Sequence, residues 1–175
     1  MSTEFMISRP DASEHAEYYS LYINRVPDGD IREHLLNQIE EFRTVLDGIE
    51  EDDACVLHEP YTWTIKQVVG HLIDVERVFG YRALRFGSGD VRPIPGMEQN
   101  DWVDNTDYES PSLKFLTDEL VHSRHANICF FVRLKPDAWD SRAEADGNEM
   151  TVRALAYCLV GHITHHLEII KKRLA

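Results

Sequence analysis

Apolar residues recur along this chain at helical spacing in four long stretches. Between residues 30 and 49 the steps separating Ile31, Leu35, Ile39, Phe42, Leu46 and Ile49 are four, four, three, four and three. Steps of that kind return to one face of a helix turn after turn and predict a single buried stripe. Asp30, with Glu33 three places on, reads as its N-cap. A second stripe runs through Ile65, Val68, Leu72, Val75, Phe79, Ala83 and Phe86, opened by a capping box of Thr64 and Gln67. A third helix is expected from Ser110-Pro111, an N-cap followed by proline at the first helical position, to about Leu134. The last runs from Thr151 to about Arg173 on Val152, Leu155, Leu159, Ile163 and Ile170. Ahead of them, Asp11 to about Asn24 reads as a short opening helix in which Asp11 and Glu14 resemble a capping pair.

The intervening segments read as loops. Asp52–Trp63 and the polar stretch Lys135–Met150 show no helical period, and no convincing strand is visible anywhere. Val91–Glu109 is longer than most connections in compact domains, and such lengths often accompany function. The cluster of Glu98, Asp101, Trp102 and Asp104 within it reads as a short helical turn. No repeat or linker divides the chain. The expected architecture is all-α: one domain over residues 1–175, a helical bundle of four long helices plus a short N-terminal one.

At 175 residues and 43% apolar, the chain is large enough for one real core. Its net charge of −13 opposes approach to nucleic-acid backbones and anionic membranes, so neither is expected as a partner. No stretch approaches the ~20 apolar residues of a membrane-spanning helix. The start, Met1 to Met6, lacks the basic and apolar regions of a secretory signal. Cys55, Cys129 and Cys158 are odd in number and form no CxxC pair, which reads as thiols in a reducing cytoplasm.

The candidate chemistry is histidine. His162 and His166 are four apart, so on a helix they stack one turn apart on one face. With Leu159 as zero, His166 falls at roughly −20° and His162 at roughly −60°, against the buried stripe, while His165 falls at roughly −120°, outside it. In the second long helix, with Val68 as zero, His71 lies at roughly −60°, Arg82 at roughly −40° and Asp74 at roughly −120°. His71 reaches the His162/His166 pair if the two helices are neighbours. Three imidazoles with an open position would make a reactive divalent metal centre. A buried histidine satisfied by ordinary core partners is the competing reading for each of them.

Other residues carry two readings apiece. Cys158, one turn before His162, is either a soft ligand or a small buried apolar group. Arg124 interrupts an apolar stripe and either anchors an anionic substrate, pairs with a buried carboxylate, or snorkels past the edge. Glu168 reads as solvated, and Tyr18, Tyr19 and Tyr22 as packing groups. There is no HExxH, no glycine-rich phosphate loop and no Ser/His/Asp order.

Taken together, Trp63 to Glu76 with His71, Tyr81 to Phe86, Pro95-Gly96-Met97-Glu98, and Thr151 through His166 resemble the motifs of the DinB/YfiT-like proteins in order and spacing. The resemblance runs from about Glu14 to Leu174. It implies a four-helix bundle of up-down-down-up connectivity with a long crossover, often dimeric. It implies a divalent metal, zinc or nickel, held by three histidines, which at matching positions are His71, His162 and His166. It further implies thiol-dependent transferase or isomerase chemistry with a low-molecular-weight thiol, or hydrolysis, on a small-molecule substrate. Asp74, Glu98 and Asp101 are the carboxylates considered as proton acceptors. A non-catalytic, stress-associated binding protein with a structural or vestigial metal is the alternative.

Overall fold

The computed structural model describes residues 6–174. Met1–Phe5, on which the reading of the N-terminus partly rests, lie outside the described residues. The chain begins with two 3-10 turns, Ala12–Glu14 and Glu17–Tyr19, and a single helical turn α1 (Ser20–Ile23). Asp11 and Glu14 do form a capping box, but the continuous opening helix does not exist. His15 and Ala16 are both extended and interrupt it.

Helix α2 (Ile31–Asp47) is capped by Asp30, whose side chain accepts from Arg32 N. A short helical turn α3 (Glu51–Ala54) occupies the start of the stretch expected to be a loop. Helix α4 (Ile65–Gly87) opens on the expected Thr64/Gln67 box. The long connection holds α5 (Gln99–Asn105), as its acidic cluster suggested. Helix α6 (Leu113–Phe131) starts two residues later than Ser110-Pro111 implied. Ser112, extended at ψ 152°, accepts from Phe115 N and takes the cap.

One expectation fails outright within the polar loop. After a 3-10 turn (Pro136–Asp140), β1 (Arg142–Ala145) and β2 (Asn148–Thr151) form an antiparallel hairpin pairing Arg142 with Thr151 and Ala145 with Asn148. Each strand has only four residues, with Thr151 the single β-branched one, so no periodic signal builds up. The turn itself was legible: Asp146 (φ 57°) and Gly147 (φ 70°) are the Asp-Gly pair that a two-residue hairpin prefers. Helix α7 (Val152–Arg173) follows, capped by Thr151, which accepts from Ala154 N.

Contacts fix the direction of each long helix. Gln38 on α2 meets Arg124 on α6, and Arg43, later on α2, pairs with Asp118, earlier on α6, so the two run antiparallel. Gly80 faces Asn127 and Gly87 faces Phe130 and Leu134, so α4 and α6 run parallel. His71 meets His162 whereas Gly87 faces Val152, so α4 and α7 are antiparallel. Gln38 reaches Val160 and Glu41 reaches Lys171, making α2 and α7 parallel. The order is up-down-down-up, with α2 packed on α6 and α7, and α4 packed on the same two. A parallel pair in sequence needs a return along the bundle, and residues 88–112 supply it.

The crossover is pinned on its way. Ile94 N donates to Glu144 O and Asp146 N donates to Ile94 O, both at 3.0 Å, which ties the segment to the edge of the hairpin. No helix among the described residues is long and apolar enough to cross a membrane.

The core is divided. One apolar cluster gathers Leu35, Val75, Phe79, Phe131 and Leu159, and the other Ile39, Leu72, Leu120 and Ile163. Between them lies a polar layer around Arg124, which is fully buried and pairs with buried Glu76 at 2.6 Å. The guanidinium also donates to Leu35 O, Gln38 Oε1 and Leu159 O. Of the readings open for Arg124, pairing with a buried carboxylate is the one the structure shows. Asn127 donates to the other Glu76 oxygen at 2.7 Å.

Removing one partner leaves the other charge buried and uncompensated. Arg124→Met is therefore expected to destabilise the fold by about 3–5 kcal/mol, read by denaturant unfolding. Adding Glu76→Leu is expected to recover part of that loss.

Candidate metal centre

The antiparallel register of α4 and α7 brings the histidines together. His71 projects from α4, and His162 and His166 from successive turns of α7. His71 Nε2 and His162 Nε2 are 3.1 Å apart, as are His166 Nε2 and His162 Nε2. The potential ligand atoms of all three lie within 4.8 Å of one another. His71 and His162 are buried and His166 is partly buried. Trp63 packs against the His71 ring at 5.1 Å, and Tyr22 meets His162 edge-on at the same distance. Gly161 permits that second contact, because a Cβ there would overlap the Tyr22 carbonyl.

The donor set fits a divalent transition ion. Burial pushes the His71 imidazole down to about 4. Burial first, and then the neighbouring imidazoles, lower His162 well below the ordinary range; burial, His71, His165 and Arg173 do the same for His166. All three rings are thus neutral near pH 7, with a lone pair on each. Two nitrogens held 2.0–2.1 Å from a tetrahedral ion stand about 3.3 Å apart, close to the observed spacing. Without an ion the His162 nitrogen must serve two others with one proton or one lone pair. If Nε2 binds an ion, the proton moves to Nδ1, and the buried Nδ1 of His71 has no hydrogen-bond partner.

The flanking residues sort as their helical angles suggested. His165 is half-buried outside the cluster, with its ring 5.6 Å from Tyr22. Glu168 is exposed and pairs with Arg25 at 3.4 Å. Cys158 is fully buried, and desolvation raises its thiol far above the ordinary value, which suits a small core residue and not a thiolate ligand.

A cavity of about 350 Å³ opens beside the triad, with His71 and His162 in its lining. Tyr18, Tyr19 and Tyr22, read from sequence as packing groups, also line it, and the Tyr18 and Tyr22 hydroxyls are 2.9 Å apart. Of the three carboxylates considered as proton acceptors, only Glu98 borders this space. Asp74 instead accepts from the Tyr108 hydroxyl at 2.5 Å, and burial raises its carboxyl. Asp101 is exposed on α5. Asp146 joins the lining from the hairpin turn that the sequence reading missed.

The fold matches solved structures. YfiT from Bacillus subtilis, described as a probable metal-dependent hydrolase with an unusual four-helix bundle topology, superposes with a TM-score of 0.70. The two share 15% identity over 94% of this chain and 90% of YfiT. A mycothiol-dependent maleylpyruvate isomerase superposes with a TM-score of 0.67 at 12% identity, over 83% of this chain and 61% of the isomerase. Identities this low show a shared fold and no more. No curated protein matches the chain. A sequence model of the DinB superfamily matches residues 34–170, which include all three histidines. The chain therefore belongs to the DinB superfamily.

Proposed function

We propose that the protein is a metal-dependent enzyme in which His71, His162 and His166 hold a divalent transition ion, zinc or nickel. Its substrate is a small molecule, attacked by water or by a low-molecular-weight thiol. The observation that carries this reading is the convergence of three neutral imidazoles, two buried and one partly buried, beside a cavity. When bound, such an ion supplies Lewis acidity and a lowered pKa for water or a thiol. The chain's own residues supply the rest. Neutral imidazoles present lone pairs, Trp63 and Tyr22 hold two of the rings in place, and the cavity walls restrict water. Glu98, exposed in the cavity lining, is the carboxylate proposed to accept a proton.

A structural ion in a binding protein would have a closed shell. Among the described residues only three side chains of ligating type converge here, and two of them face open space, which favours catalysis. The thiol-dependent relative and the hydrolase-like relative share the fold, so both nucleophiles stay within the proposal. A homodimer in the cytoplasm is the setting it expects; three free cysteines, two of them exposed, support a reducing compartment.

Mass-resolved metal analysis of the purified protein is expected to find about one ion per chain. His162→Ala is expected to weaken retention at least about a hundredfold, since even second-shell changes cost ten- to a hundredfold. Unchanged metal content in a folded His162→Ala would refute the site.

A pH series supplies another test. Unfolded imidazoles titrate near about 6.5. In the folded, metal-free chain His71 titrates at about 4, and His162 and His166 are lowered as well. The unfolded state then binds more protons within that window, so stability is full above about pH 6.5 and declines as the pH is lowered towards 4. Thermal melts of metal-free protein should show this decline, and ion retention should fall in the same direction because protons compete for the lone pairs. Turnover of electrophiles with and without added thiol separates transfer from hydrolysis; inactivity of metal-loaded protein with both nucleophiles, across a broad panel of electrophiles, is the result expected of a structural site.

A further inference from the structure

The cavity holds a second buried polar group that the metal reading does not use. His71, Val75, Phe79 and Arg82 all line it, and all come from α4 at spacings of four, four and three. They form one stripe, with imidazole at one end, apolar surface in the middle and a guanidinium at the other. The Arg82 side chain is 2% exposed. Its Nε has no hydrogen-bond partner; Nη2 donates to Pro95 O over a long 3.4 Å, and the guanidinium also interacts with the neutral Tyr19 side chain. It lies over the Phe79 ring at 5.2 Å and forms no ion pair with any described residue.

Arg124 provides an internal control. It is equally buried, and its guanidinium makes five hydrogen bonds, two of them to a carboxylate. The same fold therefore satisfies one buried guanidinium and leaves the other short of acceptors. An uncompensated buried charge is costly to keep. A ligand that brings an anion to Arg82 removes that cost when it binds.

We infer that Arg82 is the anchor for a substrate carboxylate, held at the end of the cavity away from the three histidines. This rests on the cavity being the substrate pocket of the proposed metal centre, and it names the substrate class. The planar fork of a guanidinium matches a carboxylate in two parallel bonds. Glu98 and Asp146, exposed in the same lining, penalise a dianionic phosphate more than a monoanion. Val75 and Phe79 take the apolar body between the two ends. His71 and Arg82 are eleven residues apart, about 16 Å of helical rise, so the carboxylate is kept away from the reacting atom. The substrate is thus a small organic acid whose electrophilic carbon is separated from its carboxylate by an apolar segment.

The test uses hexanoate and its neutral isostere hexanamide, titrated into the full-length protein with metal content measured in each sample. The Nε–H resonance of Arg82, identified by its loss in Arg82→Lys, is expected to move with hexanoate and stay still with hexanamide. Arg82→Gln is expected to weaken hexanoate at least about tenfold, the effect of removing a charged hydrogen-bond partner, with metal content unchanged. An unmoved Nε–H at saturating hexanoate, or equal affinity in wild type and Arg82→Gln, would each overturn the assignment. So would tighter binding of methyl phosphate at the same resonance. If Arg82→Gln does not fold, the wild-type resonance decides alone. Protein without metal whose Arg82 still responds to hexanoate sinks the metal reading only; metal-loaded protein whose Arg82 is silent sinks this inference only.

Discussion

The Arg124 guanidinium sits where the four long helices meet, and its hydrogen bonds determine how they slide against one another. From α6 it reaches Leu35 O and Gln38 on α2, Glu76 on α4 and Leu159 O on α7. A hydrophobic face tolerates a shift of one turn, because one aliphatic side chain packs much like another. A buried charge does not tolerate it, since each unmade bond leaves a desolvated polar atom. With Glu76 held opposite Leu159, His71, five residues earlier on α4, must face His162, three residues later on α7. The geometry of the three histidines is thus a consequence of register set a turn away by a different set of groups.

This polar layer also explains the divided core. Two apolar clusters flank it. The long crossover, pinned to the hairpin at Ile94, supplies Met97 to Asn100 to the cavity that His71 and His162 line, and the hairpin turn supplies Asp146. The hairpin, which also buries Ala143, Ala145 and Met150 in the core, therefore helps shape the pocket.

The cavity's two buried polar ends differ in kind. At one, three neutral imidazoles are forced together and a single His162 nitrogen must serve two others; at the other, a permanent cation has an unpartnered Nε and no carboxylate. Both are unfavourable in the protein alone, and each is relieved by a ligand of the opposite electronic demand: a cation for the lone pairs, an anion for the guanidinium. Other core polar groups find their partners, as Gln38 does with Val160 O and Thr164. What sets the His71 and Arg82 nitrogens apart from the other unpartnered buried nitrogens is that both residues line one cavity.

The amino-acid order by itself determined the four long helices, their caps at Asp30, Thr64 and Thr151, and the inward face of His71, His162 and His166, because helical period and capping are local properties within a few residues. It also placed Arg82 on the same inward side as His71. The hairpin escaped because its four-residue strands carry too short a pattern, and the start of α6 shifted because Ser110 and Ser112 are both competent caps. Only the tertiary structure decided that α4 and α7 are neighbours, that Glu76 is the partner of Arg124, that Asp74 is tied to Tyr108 and Glu98 is not, and that the Arg82 Nε lacks an acceptor. Each of these is a contact between residues far apart along the chain, and which distant partner a buried polar group finds depends on helix direction and register, which no local period encodes.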